Sequence, residues 1–136
     1  MPKPYFVFDT NCFISANLIK DSTNARAFDM ALLIGQIALS NEVLNEYIEV
    51  LYRKKLDKYL NESQRSKAIN QIKNNAIIFN PTESVKVCRD KKDNKFLELA
   101  LACKAECVIS GDVDLLTLHL FRSISILNPA NFLASF

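Results

Sequence analysis

The fold is indicated first by the stretch Tyr5-Phe6-Val7-Phe8-Asp9-Thr10-Asn11, in which a short β-prone apolar run is followed at once by polar residues. Such a run is typical of a buried strand that ends at its first polar side chain. The pattern returns at Cys107-Val108-Ile109-Ser110, which leads into Gly111-Asp112-Val113-Asp114. We therefore expect two buried strands that each end beside aspartate.

Between these runs, strand and helix patterns alternate along the chain. Apolar runs predict further strands over residues 37–39, 76–79 and 124–127. Helical spacing predicts helices over 25–34, from Ser40 to residue 52, over 62–75, from Asp93 to residue 103, over 115–120 and over 130–136. With 136 residues, 49% of them hydrophobic, the chain is expected to form a single domain over residues 1–136. The alternation predicts a three-layer α/β domain with a central, mostly parallel sheet flanked by helices.

Several classes of protein are excluded by composition. No apolar stretch approaches the roughly 20 residues that span a bilayer, and the N-terminus has no signal-peptide pattern, so we expect a cytoplasmic protein with no membrane span. The four cysteines, Cys12, Cys88, Cys103 and Cys107, are expected to stay reduced. Cys103 and Cys107 lack nearby partners for a zinc site, and the only histidine, His119, has no triad motif around it.

The acids next to the strands suggest the chemistry. In parallel α/β sheets, ligands bind beyond the carboxyl ends of the strands, so Asp9, Asp112 and Asp114 would converge. Each alone could instead cap a helix or serve a turn. Clustered carboxylates repel one another unless a cation compensates, and carboxylate with the amide of Asn11 suits Mg²⁺ or Mn²⁺ rather than zinc. Such ions promote attack of water on phosphodiesters.

At these residues the sequence resembles the PIN-domain family, in particular the toxin-type (VapC-like) nucleases of toxin–antitoxin pairs. The resemblance rests on motifs that run nearly end to end, which are Phe8-Asp9-Thr10-Asn11, Ser40-Asn41-Glu42-Val43-Leu44-Asn45-Glu46, the segment from Cys88 through Asp93-Asn94-Lys95-Phe96-Leu97-Glu98-Leu99-Ala100, and Ser110-Gly111-Asp112-Val113-Asp114-Leu115-Leu116. Each motif alone is weak, and their order and spacing are fairly specific.

The resemblance implies a metal-dependent endoribonuclease. It implies that one or two Mg²⁺ or Mn²⁺ ions activate a water that cuts RNA, that a small antitoxin covers the pocket, and that the chain forms homodimers. The implied catalytic residues are Asp9, Glu46, Asp93, Asp112 and Asp114, of which all but Glu46 would hold metal. Asn11 and Ser110 are the implied supporting residues.

Some assignments stay open at this point. Glu42 and Glu49 share a helix with Glu46, and Asp90 precedes Asp93 by one turn. Two basic clusters, residues 53–58 and 89–95, are either solvated surface or phosphate contacts, and the net charge of +2 does not distinguish these. A haloacid-dehalogenase-like phosphatase and a non-catalytic PIN-like RNA-binding module are the alternative functions.

Overall fold

A parallel sheet of five strands forms the centre of the computed structural model, which describes residues 2–136. The strands are β1 (Tyr5–Phe8), β2 (Gln36–Leu39), β3 (Ala76–Ile78), β4 (Cys107–Ile109) and β5 (Ser125–Leu127). Their order across the sheet is β3-β2-β1-β4-β5, and each neighbouring pair is parallel. The predicted three-layer α/β architecture with a parallel sheet is confirmed.

Helices connect successive strands in the described part of the chain. They are α1 (Thr10–Leu18), α2 (Thr23–Ile34), α3 (Asn41–Leu51), α4 (Glu62–Asn75), α5 (Asn94–Cys103), α6 (Val113–Leu116) and α7 (Pro129–Ser135). Short polar side chains fix several of the starting points. Ser40, for example, accepts a 3.1 Å hydrogen bond from the Val43 N–H and so caps α3. Short 3₁₀ turns, Lys54–Leu56 and Lys91–Asp93, lie in the two basic clusters.

Helix α1 was not predicted from the sequence. Its buried apolar residues Cys12, Phe13 and Ile14 are consecutive rather than spaced at a helical period, so no helix was predicted here, although a capping role for Asp9 was among the alternatives. In fact Asp9 caps this helix, because its Oδ1 accepts a 2.8 Å hydrogen bond from the Cys12 N–H. The chain therefore turns directly from β1 into α1.

The helix predicted over 115–120 is wrong in its bounds. It is the single turn α6, which starts earlier because Asp112 caps it, accepting a 2.8 Å hydrogen bond from the Asp114 N–H. After this turn the Leu118 and His119 N–H groups bond to carbonyls only three residues back, so the backbone leaves the α-helical pattern.

The three central strands are buried on both sides. Residues 6–8, 37–39 and 107–109 have no exposed surface, and α5 packs across β1, β2 and β4 through buried residues such as Phe96 and Leu97. Strands of this kind in parallel sheets read as continuous apolar runs. They provide a rigid base for the side chains that follow them. No described helix is both long and apolar enough to cross a bilayer.

Candidate active site

The candidate site lies where the strand order reverses. From β1 the chain proceeds to β2 and β3 on one side, and later to β4 and β5 on the other. Crevices at such switch points are the usual ligand sites of open parallel sheets. Asp9 follows β1 directly and Ser110 follows β4 directly, so the sheet brings these two residues together.

Asp9 is held by donors from both strand ends. Its Oδ1 accepts from the Cys12 N–H at 2.8 Å, and its Oδ2 accepts from the Ser110 hydroxyl. The Ser110 oxygen in turn accepts a 2.9 Å hydrogen bond from the Asp112 N–H. Ser110 is completely buried. Through these two hydrogen bonds its hydroxyl connects the first acid to the turn that carries Asp112.

Burial raises the pKa of Asp9, which is only 5% exposed, and the hydrogen bonds from Ser110 and Cys12 oppose that rise. The low-dielectric surroundings disfavour the carboxylate, whereas donors aimed at its oxygens favour it. A cation beside Asp9 would further favour the ionised form.

Glu46 is held by two side chains. Its Oε1 accepts from the buried Thr10 hydroxyl, and its Oε2 pairs with the Lys95 ammonium. The next residue, Tyr47, fixes α3 against β1, because its hydroxyl donates to the Phe8 carbonyl at 2.5 Å and its ring stacks on Phe13 at 4.2 Å. The carboxylate thus faces the pocket from a firmly packed helix.

Asp93 stands at the start of α5 without making a side-chain cap hydrogen bond. Burial, followed by the negative charges of Asp112 and Asp90, raises the pKa of Asp93 to about 6. Like charges disfavour one another's ionised forms, so the neighbouring carboxylates add to the effect of burial on the pKa of Asp93. The same cause acts on the Cys88 thiol, whose pKa burial and Asp93 raise to about 11.

These residues surround one cavity of about 220 Å³. It is lined by Asp9, Thr10, Asn11, Glu46, Val50, Arg53, Asp90, Lys92, Asp93, Phe96 and Asp112. Of the acids that the sequence singled out, Asp114 is not part of this lining. Its backbone N–H, rather than its carboxylate, connects it to Asp112.

The structure also places the rival acids. Glu42 lines a separate hollow with Glu98, and Glu49 forms a 3.2 Å ion pair with Arg53 on the surface. Asp90 lines the same cavity as Asp93, and its carboxylate caps the Lys91–Asp93 turn through the Lys92 N–H at 2.9 Å. Glu46 is therefore the α3 acid at the cavity, while Asp90 and Asp93 both lie there.

Sequence reasoning missed Thr10, and it named the two basic clusters that contain Arg53, Lys92 and Lys95 without giving any of these three residues a role at the site. Lys95 belongs to a charged run that resembles solvated surface, yet its side chain is only 10% exposed. One signal was available: Lys95 directly precedes the apolar run that begins at Phe96, at the edge of the buried face. Thr10 carried no signal beyond its position after Asp9.

The donor set fits a hard divalent cation. Oxygen ligands without thiolate or imidazole suit Mg²⁺ or Mn²⁺, and Mg²⁺ usually keeps several waters and binds through one or two carboxylates. Among the described residues, no group of three or more His, Cys, Asp or Glu side chains is arranged so that it could hold a metal ion by itself. Asp112 and Asp90, whose negative charges add to the effect of burial on Asp93, carry charge that a cation would neutralise. The site therefore suits an ion that is held by few carboxylates and by water.

The fold and the pocket together define the class of protein: an α/β domain with an acidic pocket at the switch point of a parallel sheet, which suits a hydrolase that works with a divalent cation. The sequence profile of the PIN-domain family matches residues 5–114. The chain therefore belongs to the PIN-domain family, whose members are generally nucleases. This membership argues against the haloacid-dehalogenase-like alternative.

The chain is also similar to one curated protein in sequence and to two solved structures in fold. The chain is 34% identical over 115 residues to Uncharacterized protein MJ1680 of Methanocaldococcus jannaschii, a match that covers 83% of this chain and 74% of that protein. The fold is similar to VapBC2 of Rickettsia felis, solved bound to a DNA fragment from its promoter, with a TM-score of 0.61 at 12% identity over 91% of this chain and 98% of that one. It is also similar to PAE2754 of Pyrobaculum aerophilum, with a TM-score of 0.64 at 11% identity over 97% and 88% of the two chains.

Proposed function

We propose that this protein is a Mg²⁺- or Mn²⁺-dependent endoribonuclease that hydrolyses RNA phosphodiester bonds. The observation that carries the proposal is the convergence of Asp9, Glu46, Asp93 and Asp112 on one small cavity, each delivered by a different part of the fold. Assembling so many carboxylates is unfavourable without a cation. Because members of the PIN-domain family are generally nucleases, the proposed reaction is hydrolysis of phosphodiester bonds.

The residues have distinct proposed roles. Asp9, Asp93 and Asp112 are the proposed carboxylates around the ion, one or two of which would bind it directly while water completes its coordination. Asp114 in the following turn would contribute less, because it lies outside the cavity wall. When bound, the ion lowers the pKa of a coordinated water and neutralises charge that develops on the phosphate. Ser110 connects Asp9 to the turn that carries Asp112, and Asn11 lines the same cavity.

The cations that line the cavity support a polyanionic substrate. Arg53 belongs to the basic cluster of residues 53–58, and Lys92 belongs to that of residues 89–95. Both side chains line the cavity, and both residues are exposed. Exposed lysines extend each cluster, namely Lys54, Lys55 and Lys58 on one side and Lys91 on the other. Phosphates on either side of a scissile bond would be attracted to these groups.

Partners and setting are proposed from the toxin-type resemblance. We propose that a small antitoxin protein binds the chain, that the chain forms a homodimer, that residues 1–136 act as one domain, and that the protein works in the cytoplasm. VapBC2, which has a similar fold, was solved as an assembly on DNA. Exposed apolar side chains, among them Leu33 at 78% and Ile19 at 64%, provide surface for such contacts.

The test is cleavage of a mixed RNA pool by protein stripped with EDTA and then supplied with Mg²⁺ or Mn²⁺. An Asp112→Asn variant prepared identically is the matched control, since asparagine still caps α6. We expect metal-restored cutting that the control lacks, and little cutting of a DNA pool of the same sequences. Absence of cutting in the folded wild type would favour the non-catalytic RNA-binding module.

A further inference from the structure

The Lys95–Glu46 pair is the most buried ion pair of the site. The Lys95 side chain is 10% exposed and that of Glu46 is 19% exposed, whereas the Glu49–Arg53 pair nearby lies in solvent, with side chains 61% and 45% exposed. Glu46 lines the cavity, whereas Lys95, which donates to its carboxylate, is not among the lining residues. The Lys95 ammonium is therefore largely shielded from solvent beside the pocket.

Both oxygens of Glu46 already have donors within the chain. Thr10, itself 5% exposed, donates to Oε1, and Lys95 donates to Oε2. Drawing Glu46 onto a metal ion would leave the Lys95 ammonium buried without its partner, which is strongly unfavourable. Asp9, Asp93 and Asp112 have no lysine or arginine ion pair of this kind in the described structure.

From this asymmetry we infer that Lys95 takes the place of a second metal ion, so that the site holds one divalent cation and Glu46 is not among its ligands. The inference rests on the proposed function, which it refines. A second dication beside Glu46 would face the Lys95 ammonium at short range in surroundings of low dielectric.

Lys95 is accordingly a positioning residue. It fixes Glu46 at the edge of the cavity with one oxygen toward Thr10, where the carboxylate can accept a hydrogen bond from water or substrate without giving up its ion pair. Glu46 and Lys95 come from α3 and α5, so the pair also fixes the separation of the two helices across the pocket.

The experiment counts Mn²⁺ ions bound per chain, by calorimetry and by the electron paramagnetic resonance of free Mn²⁺, on EDTA-stripped protein near neutral pH. We expect one Mn²⁺ for the wild type and two for Lys95→Met, because Glu46 is then a free carboxylate. Lys92→Met is the matched control, since it removes an exposed lysine from the same cavity, and it should still bind one ion.

The double variant Glu46→Gln/Lys95→Met protects the test against misfolding, because uncharged side chains of similar size often replace buried ion pairs without loss of stability. It should bind one Mn²⁺ with affinity within a few-fold of the wild type. Two ions on the wild type, or a double variant that loses more than tenfold in affinity, would overturn the inference and leave the nuclease proposal standing. No Mn²⁺ bound to the wild type would instead overturn the metal dependence on which both rest.

Discussion

Ser110 donates its hydroxyl hydrogen bond to the Oδ2 of Asp9, although the two residues are 101 positions apart in the chain. The register of β1 against β4, which pairs Phe8 with Ile109, makes this contact possible. The bond is also the largest of the influences that lower the pKa of Asp9 against the effect of burial. One hydroxyl therefore favours the charged form of the first acid.

Replacing Ser110 with alanine should impair the site more than the fold. The Asp9 oxygen loses its donor, which should cost about 1–3 kcal/mol of unfolding free energy. The pKa of Asp9 should rise further, so the acidic limb of the cleavage-rate profile should move to higher pH. Rates measured across pH on the Ser110→Ala variant check this.

Ser40→Ala is the matched control for that variant. Ser40 is also buried and also follows a strand, but it caps α3 rather than contacting an acid. Its loss should cost about 1 kcal/mol of stability and leave the pH profile in place. If both serine variants shift the profile equally, Ser110 has no particular role at Asp9.

The raised pKa of Asp93 makes stability depend on pH. The unfolded chain has the ordinary value of 3.8, whereas the folded, metal-free protein has a value of about 6. Between these values the folded state keeps a proton that the unfolded state has released, so the free energy of unfolding falls as pH rises through this window. The destabilisation is complete above about pH 6 and absent below 3.8.

Asp93→Asn should remove this dependence. In EDTA its melting temperature should exceed that of the wild type by a few degrees at neutral pH, and the difference should vanish in acid. Asp29→Asn, a change at an exposed position on α2, should match the wild type throughout. Melting curves across the pH range decide the matter, and a neutral-pH melting temperature for Asp93→Asn at or below that of the wild type would contradict the explanation.

Arg53 and Lys92 should govern RNA affinity through phosphate contacts. In an Asp112→Asn background, Arg53→Gln and Lys92→Gln should each weaken binding of a labelled single-stranded RNA several-fold. Each should also reduce the slope of log affinity against log salt by about one. Lys73→Gln, on the exposed face of α4, is the control and should change neither quantity. Unchanged slopes in the two cavity variants would place the RNA elsewhere.

Arg65 should support the basic segment that follows α3. Its side chain is 8% exposed, and it donates to the Leu51 carbonyl at 2.6 Å and to the Asp57 carboxylate at 3.0 Å. Arg65→Met should cost about 1–3 kcal/mol in denaturant unfolding, because the buried carbonyl loses its donor. Asp57→Asn should cost less than about 1 kcal/mol, since that carboxylate is 61% exposed. Equal losses would assign the effect to the ion pair instead.

The parts of this molecule that could be predicted from sequence are those that depend on local pattern. Asp9 lies directly after β1 and Asp112 lies in the turn that follows β4, while Glu46 lies one turn and a half into a helix whose start is indicated by its capping residue Ser40. The parallel sheet follows from the alternation of strands and helices, and it brings the strand ends together.

Residues whose environment depends on tertiary contacts could not be predicted in this way. Lys95 stands in a run of charges, and only the approach of α5 to α3 buries it against Glu46. Helix α1 was missed because three consecutive buried residues show no helical period. The position of Asp114 outside the cavity wall depends on a single turn, α6, whose bounds the Leu-rich sequence did not define.

Asp112 and Asp114 should therefore differ in their effect on cleavage. Asp112→Asn should abolish activity, because its carboxylate lines the cavity while asparagine preserves the cap of α6. Asp114→Asn should retain activity within about tenfold, which corresponds to about 1.4 kcal/mol in the activation barrier. The site uses the Asp114 backbone N–H, a 2.8 Å donor to Asp112, and asparagine keeps that group. The measurement is kcat/KM on one defined RNA with both variants shown to melt like the wild type. If Asp114→Asn proves as inactive as Asp112→Asn, the α6 turn must rotate to bring its carboxylate into the cavity, and Asp114 then belongs with the ligands of the ion.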